Sequence, residues 1–288
     1  MKKEELNMTE GWMEKFPFGE LEVPSGIGKD AVWDSILASI KRENQHQKLN
    51  IFSHLSKIAA VFVALVVVGS LMWIFVFGSK EYYSPKGKHL QVQLPDGSRV
   101  ELNADTRLSF NSALWRFKRN VVLDGEALFS VKKGDFFNVR TEHVTTQVLG
   151  TVFNVYSRNN EVKVSCIEGS VAVINTKTQQ RVLLAPNQQT KLANGKLKEP
   201  DTAAKPEMAT WTRGEFYFLN ESLENVLKEI ERQFNVNVNS MVAHERYYSG
   251  VFFNTNLEDA LDLVCVPMNL SWKITSGLIV ITEKESSN

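Results

Sequence analysis

The chain has 288 residues, is 43% hydrophobic, and balances 33 Lys and Arg against 33 Asp and Glu. That length allows one or two ordinary domains, and the balance leaves no basic field for nucleic acid. Two cysteines, Cys166 and Cys265, are too few for a disulfide framework. The two could pair in an oxidising compartment, but each sits inside an apolar pattern, which favours two buried free thiols.

Residues 1–57 are mixed in charge. Trp33, Ile36, Leu37 and Ile40 recur at i, i+3, i+4 and i+7, one face of a helix. Asp30 is a fitting N-cap or first-turn acid. An earlier cluster, Trp12, Met13 and Phe16, reads as a second short helical turn. Pro17, Gly19, Pro24, Gly26 and Gly28 break the chain between them. A segment this small cannot bury a large core. Its apolar face therefore reads as a docking surface for a partner, the alternatives being a helix lying at a membrane interface or simple disorder.

Ile58 to Phe77 follow without a charge or a proline. Twenty helical residues at ~1.5 Å each cover a ~30 Å bilayer core. Lys57 and Lys80 flank the run, and Trp73 lies near one interface. The run starts too late for a cleaved signal peptide, so a signal anchor is expected. Lys41, Arg42, Lys48 and Lys57 before the span outnumber Lys80, Lys86 and Lys88 after it, a small bias toward a cytoplasmic N-terminus.

Residues 81–200 alternate at period two. Leu90, Val92 and Leu94 precede a Pro95-Asp96-Gly97-Ser98 turn, and Val100 and Leu102 resume the pattern. Val121-Val122-Leu123 reads as a strand ended by Asp124-Gly125, and Ala127, Phe129 and Val131 as the next. Runs of this length between regular turn signals predict an all-β domain, a sandwich or a roll of stacked β-coils. Arg116-Phe117-Lys118-Arg119 reads as an anion-binding cluster or a charged edge strand. Residues 201–210 are small and polar and read as a linker.

Residues 211–284 change pattern again. Phe216-Tyr217-Phe218 reads as a strand, and Leu223, Val226, Leu227, Ile230 and Phe234 as an amphipathic helix capped by Asn220 or Ser222. A second strand and helix follow at Val251-Phe252-Phe253 and Leu257 to Val264, then a hairpin around Ser276-Gly277. The two units repeat at an offset of 34 residues, which predicts two βαβ-like units packing a small sheet on two helices.

Catalytic and metal-binding constellations are absent from the sequence, and no cofactor is expected. There is no GxGxxG, phosphate loop, GxSxG or HExxH, and the five histidines lack ligand spacing. Gly150-Thr151 is a single exception of chemical interest. A strained threonine hydroxyl can attack the preceding carbonyl, giving an ester that water cleaves. The commoner reading is a glycine kink between strands.

The order of segments resembles the FecR family of transmembrane anti-sigma factors. The resemblance rests on Leu94 to Ser98 with Val100, Leu102 and Asn103; on Val122 to Ala127 with Phe129 and Val131; on Thr146 to Thr151 with Phe153 and Val155; and on Val164 with Glu168 to Val171. Residues 211–284 are similar to the C-terminal domain of Bacteroides-type members, related to the secretin/TonB short N-terminal fold. The resemblance implies a single-pass inner-membrane protein with a cytoplasmic N-terminus and a periplasmic C-terminus. Residues 1–57 would bind an extracytoplasmic-function sigma factor through Trp33, Ile36, Leu37 and Ile40. The C-terminal domain would meet the signalling domain of a TonB-dependent outer-membrane transporter, with Phe216, Phe218, Phe252 and Phe253 as contact candidates. Membrane lipid is the third partner, and nucleic acid is not one. Some family members are thought to self-cleave at the position of Gly150-Thr151. The alternative is a membrane-anchored periplasmic binding or structural protein with no sigma partner. An anchored carbohydrate-active enzyme lacks the paired carboxylates it would need.

Overall fold

The computed structural model describes residues 28–202, 208–242, 246–275 and 277–284. The Trp12–Phe16 cluster lies outside the described residues. The chain divides into two compact units, Met1–Gly69 and Ser70–Asn288.

The docking helix and the span, expected as separate elements, belong to one helix. It is α1, Lys29–Phe77, 49 residues long with Asp30 in its first turn. The reason is the absence of any breaker: after Lys29 there is no proline before Phe77, and the first glycine is Gly69, deep in the apolar run. Leu55–Trp73 is long and apolar enough to cross a membrane, and none of it is buried.

The second unit opens with β1 (Ser79–Ser84), β2 (Leu90–Gln93), β3 (Arg99–Leu102), β4 (Thr106–Asn111) and β5 (Arg119–Ser130). It continues through β6 (Phe137–Arg140), β7 (Val144–Val148), β8 (Val152–Arg158), β9 (Glu161–Glu168) and β10 (Val171–Asn175). Four strands close it: β11 (Arg181–Leu184), β12 (Gln188–Ala193), β13 (Lys196–Leu197) and β14 (Asp201–Thr202). β5 belongs to two sheets. Up to Asp124 it pairs with β4 and, in parallel, with β6; from Gly125 it pairs with β8 and, from Ala127, with β3.

The turn expected at Asp124-Gly125 is thus a bend inside one 12-residue strand. Gly125 has φ 120°, and a Cβ there would stand 2.8 Å from the Thr106 Cα. Glycine permits that close approach and the bend, without reversing the chain. The two sheets close over one core. Phe129 stacks on Phe153 at 5.1 Å and meets Phe137 edge-on at 6.1 Å, all three fully buried. Each such ring contributes about 1.5–3 kcal/mol by burial.

Residues 201–210, read as a linker, are fixed at both ends. β14 pairs with β12, and a 3-10 turn at Thr210–Arg213 buries Trp211. Then come β15 (Glu215–Ser222), α2 (Leu223–Phe234), β16 (Asn237–Ser240), β17 (Tyr247–Phe253), α3 (Leu257–Cys265), β18 (Leu270–Thr275) and β19 (Leu278–Glu283). Ser222 caps α2, accepting from Asn225 N at 3.2 Å, and Asn256 caps α3. The predicted units form, but they interleave. β15 pairs with β17 in one sheet, while β16 lies parallel to β19, and β18 antiparallel to it, in another. Cys166 and Cys265 are buried free thiols.

Gly125→Ala is expected to cost about 1–3 kcal/mol, because it adds both an overpacked methyl and a disfavoured φ. Chemical denaturation of the purified protein against the parent measures it.

Candidate functional site

Trp33, Ile36, Leu37 and Ile40 are exposed, at 63, 41, 59 and 51%. Val32 extends the same apolar stretch, at 43%. These residues keep their helical spacing as an uncovered stripe.

The four phenylalanines of the C-terminal module separate into two kinds. Phe216 and Phe252 are buried and stacked at 4.9 Å, directly opposite each other in the β15–β17 register. Phe218 is half-buried and stacks on Phe252 at 5.6 Å. Phe253 is exposed. Strand alternation explains the split: successive side chains face opposite sides. Phe216 and Phe252 are therefore core residues, and Tyr217 and Leu219, which the sequence reading passed over, are exposed instead.

Gly150 does not occupy the left-handed region. It is glycine for space, since a Cβ would come within 2.7 Å of the Lys133 Cα. The Thr151 hydroxyl is buried and donates to the Ser170 carbonyl at 3.0 Å.

The densest polar chemistry lies where α2 and the 3-10 turn meet the β domain. Glu229, on α2, is buried and accepts from Arg232 Nε at 2.9 Å and from Gln233 Nε2 at 2.7 Å. Gln233 Nε2 also donates to Asn103 Oδ1 at 2.8 Å, across 130 residues of sequence. Asn103 Nδ2 and Asn154 Nδ2 each donate to Glu126, both at 2.8 Å. Asn154 in turn accepts from the Trp211 indole at 3.2 Å. His89 Nε2 lies 3.1 Å from Gln233 Oε1, and its ring meets Trp211 edge-on. Gly87 N donates to the Arg232 carbonyl at 2.7 Å. Leu128 and Ile167, from the β domain, pack on the apolar core of the C-terminal module.

The two carboxylates titrate in opposite directions. Burial pushes Glu126 up, helped by the negative charge of Glu229, against hydrogen bonds from Asn154 and Asn103. Burial alone would push Glu229 up too, but the Arg232 and Arg158 guanidiniums outweigh it and hold it below the ordinary carboxylate range. Tyr156 is raised by burial and by Glu229. Lys163 is lowered by burial and by Lys191, its cross-strand partner. Beside this junction opens a cleft of ≈ 340 Å³, bounded by Glu126, Tyr156 and Lys163 on the β domain and by β15 on the other side. Among the described residues no group of three or more His, Cys, Asp or Glu is placed to hold a metal ion.

The sequence did carry a trace of this junction. Asn103 and Glu126 belong to the recurring motifs and Asn154 lies within one, yet read locally they look like turn polarity. The partners of Asn103 and Asn154 across the junction, Gln233 and Trp211, are 130 and 57 residues away.

Within the described residues the β domain and the C-terminal module meet at a polar junction. Residues 80–172 match the family described as FecR protein, and residues 215–281 match FecR, C-terminal. Two crystal structures of a candidate anti-sigma factor from Parabacteroides distasonis ATCC 8503, at 2.50 and 1.65 Å, are similar in fold. Each is 28% identical to this chain, with TM-scores of 0.67 and 0.66, covering 72% of this chain and 100% of its own. No curated protein matches the chain. The chain belongs to the FecR family, which is regulatory and not enzymatic.

Arg232→Met is expected to cost about 3–5 kcal/mol, because it strands the Glu229 charge in the interior. Glu229 gives a pH test as well. A depressed carboxyl stabilises the fold above its unfolded pKa, and that contribution disappears as pH falls through its folded pKa. The stability gap between the parent and Glu229→Gln should therefore be widest near neutrality and close toward acid, in denaturation series from neutral pH downward.

Proposed function

We propose that the chain is a single-pass inner-membrane anti-sigma factor that regulates an extracytoplasmic-function sigma factor. Residues 1–57 form the cytoplasmic sigma-binding segment, residues 58–77 the span, and residues 81–200 and 211–284 the periplasmic sensor. The observation that carries this reading is the exposed stripe of Trp33, Ile36, Leu37 and Ile40 on a helix that runs unbroken into an apolar stretch. An apolar helical face left in water is stabilised by a partner that covers it. The family membership supplies the kind of partner.

The periplasmic side receives its signal from the signalling domain of a TonB-dependent transporter. The contact uses the outer face of β15 and β17, where Tyr217 and Phe253 are exposed, while Phe218 faces inward onto Phe252. Phe216 and Phe252 shape that face from beneath.

Trp33→Asp combined with Ile36→Asp should reduce co-purification of the cognate sigma factor by on the order of tenfold or more, since two buried apolar contacts are each worth more than 1 kcal/mol. Unchanged co-purification would leave an anchored protein with no sigma partner.

A further inference from the structure

One end of the second unit gathers exposed apolar and basic side chains that the regulatory reading does not use. Arg119 pairs with Phe137, and Phe137 with Val148. The residues just outside those pairings therefore share one rim. They include Phe117, Phe136 and Leu149, exposed at 80, 57 and 51%. Arg116, Lys118 and Lys133 stand exposed among them, with no ion pair among the described residues. Asp135 is the nearest exposed acid in sequence, and the acid at the neighbouring turn, Asp96, is engaged by Arg119 at 3.0 Å.

The rim is fastened to the membrane helix through the chain itself. Ser112 N and Ser112 Oγ both donate to the Gly78 carbonyl, at 2.7 and 3.0 Å. Gly78 follows Phe77, the last residue of α1. The loop carrying Phe117 is thus hydrogen-bonded to the residue that directly follows the helix, and Trp73 closes the apolar stretch only a few residues earlier.

We infer that this rim is a lipid-binding surface: Phe117, Phe136 and Leu149 enter the headgroup region of the bilayer that α1 crosses, and Arg116, Lys118 and Lys133 pair with lipid phosphates. The chemistry is that of an interfacial anchor. Exposed Phe and Leu side chains bury at the boundary between headgroups and acyl chains, and each basic side chain near an anionic surface adds attraction. A tether of one residue makes the second contact intramolecular, so a weak surface suffices. Charge complementarity favours a phospholipid surface: Arg116 and Lys118 flank Phe117, and Lys133 stands just before Phe136.

The inference rests on the membrane span, and the test separates the two. Full-length protein is placed in nanodiscs of phosphatidylglycerol and phosphatidylcholine, with an environment-sensitive fluorophore on Phe117→Cys, on Phe136→Cys, or on Lys177→Cys at the opposite end. The native cysteines are buried and do not compete for label. Failure to enter the discs overturns the span itself. If the protein enters, the labels at 117 and 136 should emit blue-shifted and be quenched by shallow spin-labelled lipid, while the label at 177 stays water-exposed. Arg116→Glu with Lys118→Glu should lower the docked-to-free ratio on the order of tenfold or more in the anionic discs. Labels at 117 and 136 that match the one at 177 overturn the inference. So does a blue shift without lipid quenching in discs holding two copies, which would mean the rim pairs with itself.

Discussion

Glu229 is the constraint on which the second unit turns. A carboxylate removed from water must find compensating charge and hydrogen bonds or give up its ionisation. Glu229 keeps its charge because Arg232, three residues along the same helix, and Gln233 both reach it. Gln233 then has one amide hydrogen left, and Asn103 of the β domain takes it. The satisfaction of one buried group therefore fixes how α2 meets the sheet. Glu126 adds a second carboxylate, held by Asn103, just past the end of β3, and by Asn154 on β8. The two modules behave as one cooperative body because neither can withdraw without leaving a buried charge or amide unpaired.

That arrangement also gives the periplasmic reading a physical carrier. A partner touching β15 or β17 acts on a sheet whose far end passes directly into α2, with Ser222 ending the strand and capping the helix. Displacing α2 by a fraction of a hydrogen-bond length would be felt at Asn103, which accepts from Gln233. Packed polar networks respond to such shifts in discrete steps.

Much of this fold was legible residue by residue. α2 announced itself through Leu223, Val226, Leu227 and Ile230 and through its Ser222 cap, because amphipathic periodicity and capping are local signals. The apolar span was legible for the same reason. What escaped was non-local. Gly125 carries a turn signature, and only the proximity of Thr106 makes it a bend. The two repeat units were visible, but their exchange of strand partners depends on contacts between segments some 30 to 40 residues apart. Phe216 and Phe253 both look like surface aromatics in sequence, and only the register decides which is core. The junction was the least legible of all, since Glu126 and Glu229 are unremarkable until burial brings them together.

The unbroken course of α1 has a mechanical meaning. Trp33 and Leu55 are 22 residues apart on one helix, a distance of roughly 33 Å at 1.5 Å per residue. In the proposed reading, the stripe is carried on a stalk well beyond the lipid headgroups. Continuous backbone hydrogen bonding makes the stalk stiff in torsion, so a rotation of the helix within the membrane turns the stripe by the same angle. A partner docked on the stripe would therefore be held at a set height and a set azimuth, and a change in either would present a different face to it.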